Sequence, residues 1–106
     1  MAKRHILRDK TELVCFVEGK KDFKVVNLTY EKIAGIRIEA CKEFRWFRFV
    51  PSEMIVITVK GRNQPLVYKK AKEKKYFQEY KDLLAEFARE HWLSFRDLTI
   101  GGEAEA

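Results

Sequence analysis

The stretch from Glu73 to Trp92 constrains this 106-residue chain more than any other, because its apolar residues recur at helical spacing. Tyr76, Phe77, Tyr80, Leu83, Leu84, Phe87, Ala88, His91 and Trp92 follow the i, i+3, i+4, i+7 pattern and predict one long amphipathic helix with a wide apolar stripe. Such a stripe needs a covering surface. Everything upstream reads as strands and turns, so a sheet is the expected mate.

The upstream segments carry the period of two that marks half-buried strands. Ile6 and Leu7 suggest a short edge strand. Leu13 to Glu18 is a β-branched and aromatic run that stops at Gly19-Lys20-Lys21-Asp22, a turn cluster, and Phe23 to Thr29 forms the return strand of a hairpin. Val26 and Leu28 then share one face. Thr29 to Ile33 breaks the alternation and suggests a single turn with Thr29 as the capping hydroxyl. Ile36, Ile38 and Ala40 point inward along the next strand, with Arg37 and Glu39 toward water.

Phe44 to Val50 reads as a strand with aromatics on both faces, ended at Val50 by Pro51, whose nitrogen has no proton for a ladder. Met54 to Lys60 and Leu66 to Lys70 form a further hairpin around a polar Gly- and Pro-containing loop, with Ile55, Ile57 and Val59 inward. The expected architecture is α+β and mainly β: an antiparallel meander of six or seven strands forming a curved sheet or partly open barrel, capped by one C-terminal amphipathic helix. A single domain over residues 1–99 is expected, with 1–10 as a short basic arm or edge strand and 100–106 as a flexible tail.

This order of elements resembles the pleckstrin-homology superfold, and more narrowly the small bacterial pleckstrin-homology-like domains. The resemblance rests on the hairpin LVCFVEGKKDFKVV, the YEKI turn leading into AGIRIEA, the closing hairpin MIVITVKGRNQPLVYKK and the helix YFQEYKDLLAEFARE, and it spans Leu13 to Trp92. It implies a binding module with a helix plugging the open end of a curved sheet. Phosphoinositide binding is not implied. The basic signature of lipid-binding members has a lysine followed by a basic-x-Arg triplet, whereas this chain offers Lys20, Lys21 and Lys24 without an arginine.

No constellation for catalysis is legible. The two histidines, His5 in the basic arm and His91 on the helical stripe, lack a visible partner, and Ser52 and Ser94 lie outside any nucleophile elbow. There is no phosphate-binding loop and no dinucleotide-binding glycine turn, and Asp9, Asp22, Asp82 and Asp97 are too scattered to suggest metal ligands. Cys15 and Cys41 form no paired motif and read as reduced, small hydrophobes. No enzyme activity, metal or cofactor is expected. Neither a signal-peptide core nor a membrane-spanning run is present, so a soluble, cytoplasmic protein is expected.

Two surfaces stand out as candidates for binding. The net charge of +6 is concentrated between Lys60 and Lys75, where Lys60, Arg62, Lys69, Lys70, Lys72, Lys74 and Lys75 face the single acid Glu73. Such a cluster suits an anionic partner, whether nucleic acid or acidic lipid headgroups, or is a solvated face relieved by Glu73 and Glu79. The second is Phe44, Trp46 and Arg48, three alternate residues of one strand, which suit an interface with a protein partner or a second copy of the chain. Cover by the segment around Phe95 would remove that surface. A non-enzymatic binding module acting through protein contact or self-association is the leading expectation, and an anionic-surface binder the alternative.

Overall fold

The computed structural model describes residues 4–18 and 22–99. Seven strands and one long helix follow one another as β1 (Ile6–Arg8), β2 (Glu12–Glu18), β3 (Phe23–Thr29), β4 (Ile33–Arg45), β5 (Arg48–Val59), β6 (Leu66–Lys69), α1 (Phe77–His91) and β7 (Phe95–Asp97). The fold is α+β and dominated by strands. Residues 19–21, expected in a hairpin turn, and 100–106, expected to form a tail, lie outside the described residues.

The expected meander is only partly realised. The strands form two sheets, a three-stranded one in the order β1-β2-β3 and a four-stranded one in the order β6-β5-β4-β7. All neighbours are antiparallel except β7, which runs parallel to β4 with Phe95 beside Ile36 and Asp97 beside Ile38. The helix is therefore a crossover rather than a terminal cap. It carries the chain from the β6 edge to the opposite edge, where Phe95–Asp97 adds a strand.

One core joins the two sheets and the helix. Leu13, Cys15 and Leu28 come from the first sheet, Ile36, Ile38, Ile55, Ile57 and Val59 from the second, and Phe77, Tyr80, Leu84, Phe87 and Ala88 from α1. The period-two reading of Ile55, Ile57 and Val59 holds. Ala40, expected inward, is exposed, because β4 has by then run past the body of the domain. Arg37 and Glu39 point to the other face of β4, where they pair with one another and Arg37 also donates to Thr58 Oγ1 at 3.2 Å.

The helix is shorter than its stripe suggested. Residues Lys74 to Tyr76 form turns rather than helix, and α1 starts at Phe77. Trp92, expected on the buried stripe, is instead the C-terminal cap in the left-handed conformation (φ 60°) and is 93% exposed. The reversal at that cap turns its side chain away from the stripe and sends the chain into β7. The single turn expected over Thr29 to Ile33 is a 3-10 turn at Tyr30–Lys32, but the Thr29 side chain makes no capping hydrogen bond.

The N-terminal segment is tied to the helix by side chains. The His5 N–H donates to Tyr80 Oη (2.8 Å), Tyr80 donates to Glu73 Oε1 (3.0 Å), and His5 Nδ1 meets Glu73 Oε2 at 2.8 Å. Arg8 donates to Glu90 (2.6 Å) and Glu86 (3.3 Å) while its guanidinium lies over the Phe87 ring. Arg4 bonds Glu79 and covers Tyr76. At the other helix end His91 Nε2 donates to the Lys10 carbonyl at 2.6 Å and its ring stacks on Tyr30.

Burial is the largest influence on the Tyr80 phenol and pushes it up to about 12 against the opposing His5 hydrogen bond. The Tyr80 hydroxyl is thus a neutral bridge between strand and helix. Tyr80→Phe leaves the His5 amide without its acceptor and is expected to cost about 1–3 kcal/mol in urea unfolding.

Carboxylates on the helix and β7 set an acid dependence. Hydrogen bonding from Arg4 and Arg8 holds Glu79 and Glu90 below the usual carboxylate range. At Asp97 burial acts upward, but two Thr99 hydrogen bonds and the Lys81 ammonium outweigh it and the net shift is downward. With folded-state pKa values below unfolded ones, the unfolded chain takes up protons first. The stability these groups contribute is complete above the unfolded carboxylate range near pH 4 and is lost as pH falls through the folded values. Thermal melts between about pH 7 and 3 are expected to show a falling Tm, with a shallower fall in Asp97→Asn.

Candidate interaction site on an aromatic hairpin

The segment Phe44 to Val50 is not one strand but the end of a hairpin. The ladder between β4 and β5 continues through Glu43/Val50, Phe44/Phe49 and Arg45/Arg48, and only Trp46 and Phe47 form the loop. Pro51 lies inside β5 opposite Lys42, on a stretch that β6 does not reach, since β6 pairs only with Met54 to Ile57. A proline is tolerated where one side of a strand has no neighbour. Pro51 therefore does not end the strand.

The loop geometry is costly for its residues. Trp46 has φ 52° and Phe47 φ 64°, both in the left-handed region. A two-residue hairpin loop with two positive φ angles is of the type I′ kind, which Asn-Gly fits best because bulky side chains crowd the following carbonyl. Each non-glycine residue held there costs on the order of 1 kcal/mol. Here both are large aromatics, 87% and 92% exposed, so no burial within the chain offsets that cost.

The flanking residues sort by face. Phe44 and Phe49 continue the side of the sheet that carries Ile38 and Ile55, and their rings meet edge to face at 5.2 Å. Both remain exposed, because the first sheet and α1 no longer cover that face. Arg45 and Arg48 stand opposite one another on the other side, a like-charge pair that costs roughly 0.2–1 kcal/mol in a ladder. Among the described residues neither meets a carboxylate within ion-pair distance. The last buried residues along the two strands are Ile38 and Ile55, so the arm reaches roughly 25 Å beyond them at about 3.3 Å per residue.

The structure thus gathers Phe44, Trp46 and Arg48 in one tip, but not on a single face. Phe44 lies on the core-side face, Trp46 at the apex and Arg48 on the opposite face. Sequence reading missed Phe47, Phe49 and Arg45 as members of the tip. The signal was the mirror symmetry of Phe-Arg-Trp-Phe-Arg-Phe, which pairs like with like about a two-residue loop. Phe95 does not cover the arm, since it lies beside Ile36.

The basic cluster is dispersed along an edge. Lys60 follows the far end of β5, where its N–H bonds the Lys32 carbonyl at 2.8 Å. Arg62, Lys69 and Lys72 line a cavity of about 770 Å³ between β6 and the ends of β2 and β3, and Glu18 and Glu73 share it. Lys69 and Lys70 stand at the base of the arm, where the Lys70 N–H bonds the Glu53 carbonyl at 2.9 Å. Lys74 and Lys75 precede the helix, and Lys75 lies over the Tyr76 ring. The acids expected to relieve these lysines are engaged elsewhere, Glu73 by His5 and Tyr80 and Glu79 by Arg4.

Two further groups bear on reactivity. Burial pushes the Cys15 thiol up to about 12, and burial is also the main influence raising the Tyr68 phenol. Among the described residues no three of His, Cys, Asp and Glu converge as a metal site, and no helix is long and apolar enough to cross a membrane. No protein-family model, curated protein or solved structure matches this chain.

The apex is therefore the least self-satisfied part of the surface. Replacing it with the pair that a type I′ loop prefers, Trp46→Asn with Phe47→Gly, is expected to stabilise the fold by about 1–2 kcal/mol, a Tm rise of several degrees. Paired thermal and urea denaturation measures this, and a loss of stability would mean that the apex rings pack favourably after all.

Proposed function

We propose that this chain is a non-enzymatic docking module of pleckstrin-homology-like architecture, and that the β4–β5 hairpin is its contact element. The observation that carries this reading is the apex itself. Two aromatic residues are held in left-handed backbone conformations and project into solvent, which costs stability and returns little burial within the chain. Covering a large aromatic side chain stabilises a complex by roughly 1.5–3 kcal/mol, so four of them at one tip suffice for a hot spot. What supports this architecture is the order of elements, the hairpin β2–β3, then β4, β5 and β6, then the helix, whereas the division into two sheets and the added strands β1 and β7 depart from it. Occupants compatible with the tip include a protein partner and a second copy of the chain.

Site-specific photo-cross-linking in the native host tests the reading. A benzophenone side chain at position 46 is expected to give discrete adducts that the same group at position 92, equally exposed at the far end of the helix, does not. Absence of any adduct at 46, whether to protein or to lipid, or the same adducts at both positions, would remove the hairpin as the contact element.

A further inference from the structure

We infer that the hairpin docks on a lipid bilayer of anionic composition, entering its interfacial layer apex first; this rests on the docking reading above and names the partner. A convex arm has no concavity in which to enclose a small ligand. It has to enter something else. The apex rings and the arginine pair directly behind them match the first two layers of a membrane surface, the interfacial zone and the phosphates. Trp46 and Phe47 stand outermost, Arg45 and Arg48 form the ladder pair directly behind them, and Phe44 and Phe49 form the next pair inward, on the opposite face. Indole and phenyl rings favour the zone between headgroups and acyl chains, while guanidinium groups favour phosphates.

The charge distribution points the same way. The two arginines face each other across the ladder without a carboxylate partner, and an anion between them would turn a repulsion into a bridge. The acids of the arm, Glu39, Glu43 and Glu53, lie nearer the body. At the arm's base are Lys69 and Lys70, followed by Lys74 and Lys75, none of them in an ion pair among the described residues. Lys70, level with Glu53, stands roughly 17 Å behind Arg48, and Lys69, level with Met54, roughly 20 Å, at about 3.3 Å per residue. With the apex seated about 5–10 Å deep, Lys70 stands roughly 10–15 Å above the phosphate plane, between one and two Debye lengths. A bilayer also demands no shape complementarity, which suits a tip made of rings fanned in several directions.

Nucleic acid is the competing anion. It would use the arginines and stack the rings, but nothing near the tip forms a continuous basic groove to follow a strand, and the arm bases alternate with acids.

The test uses the full chain carrying Trp92→Phe, so that Trp46 is the sole indole, and sucrose-loaded vesicles of equal parts phosphatidylglycerol and phosphatidylcholine. Co-sedimentation, a blue shift of Trp46 emission and quenching by lipids brominated high on the acyl chain are expected. Binding should weaken about thirtyfold in Arg45→Gln with Arg48→Gln and on pure phosphatidylcholine. It should fall at least about a hundredfold in Trp46→Asn with Phe47→Gly, whose unchanged or raised Tm excludes misfolding. No sedimentation at low salt overturns the inference, as does sedimentation with unshifted Trp46 emission, which would assign binding to the lysines alone. Tighter binding to single-stranded polyuridylate than to vesicles overturns it in favour of nucleic acid. Protein adducts at position 46 without vesicle binding would remove the lipid and leave the docking reading standing, whereas failure of both experiments removes both.

Discussion

The antiparallel ladder between β4 and β5 is the constraint on which the rest of the molecule depends. It runs without a break from Gly35/Thr58 to Arg45/Arg48, and its two halves have different tasks. In the inner half Ile36, Ile38, Ile55 and Ile57 present a fully buried apolar face to the first sheet and α1. In the outer half the same alternation continues with no cover, and the face that was core becomes surface. Because the register is shared, the packing that locks the inner half also orients the outer half. The arm needs no support of its own to point in one direction.

The helix and the N-terminal segment complete the inner half. Tyr80, Leu84 and Phe87 fill the space between the sheets, and Arg4, His5 and Arg8 fasten the N-terminal segment to the helix through Glu79, Glu86 and Glu90 and to the turn before it through Glu73. The exposed pairs among these contribute little individually. Their joint effect is to hold the short strand β1 at the sheet edge, where Ile6 is fully buried. Lys81 does similar work at the other edge, standing between Glu53 of β5 and Asp97 of β7.

Much of this was legible in the sequence where a local period and a burial demand agree. The strands around Leu13, Leu28 and Ile55 and the stripe from Phe77 to Ala88 are of that kind. What was not legible depends on tertiary geometry. The splitting of the strands into two sheets, and the parallel placement of Phe95–Asp97 beside β4, leave no mark on local spacing. The ties of Glu73 and Glu79 join residues about 70 positions apart, so those acids read as neutralisers of adjacent lysines. The hairpin tip was misread for a different reason. Trp-Phe contradicts every preference of a two-residue loop, and a rule based on typical turn residues passes over it. The conflict between local preference and observed conformation is itself informative, because such conflicts concentrate at functional positions.

The mirrored arrangement of Phe44, Arg45, Arg48 and Phe49 makes the arm a ruler with coarse graduations. Lengthening or shortening both strands by a single residue would exchange the phenylalanine and arginine sides relative to the body, since successive side chains alternate. Only a change of two residues per strand, about 6.6 Å, preserves which side is aromatic. In chains of this design the reach of the arm is therefore quantised, and divergence in its length should occur in blocks of four residues centred on the apex.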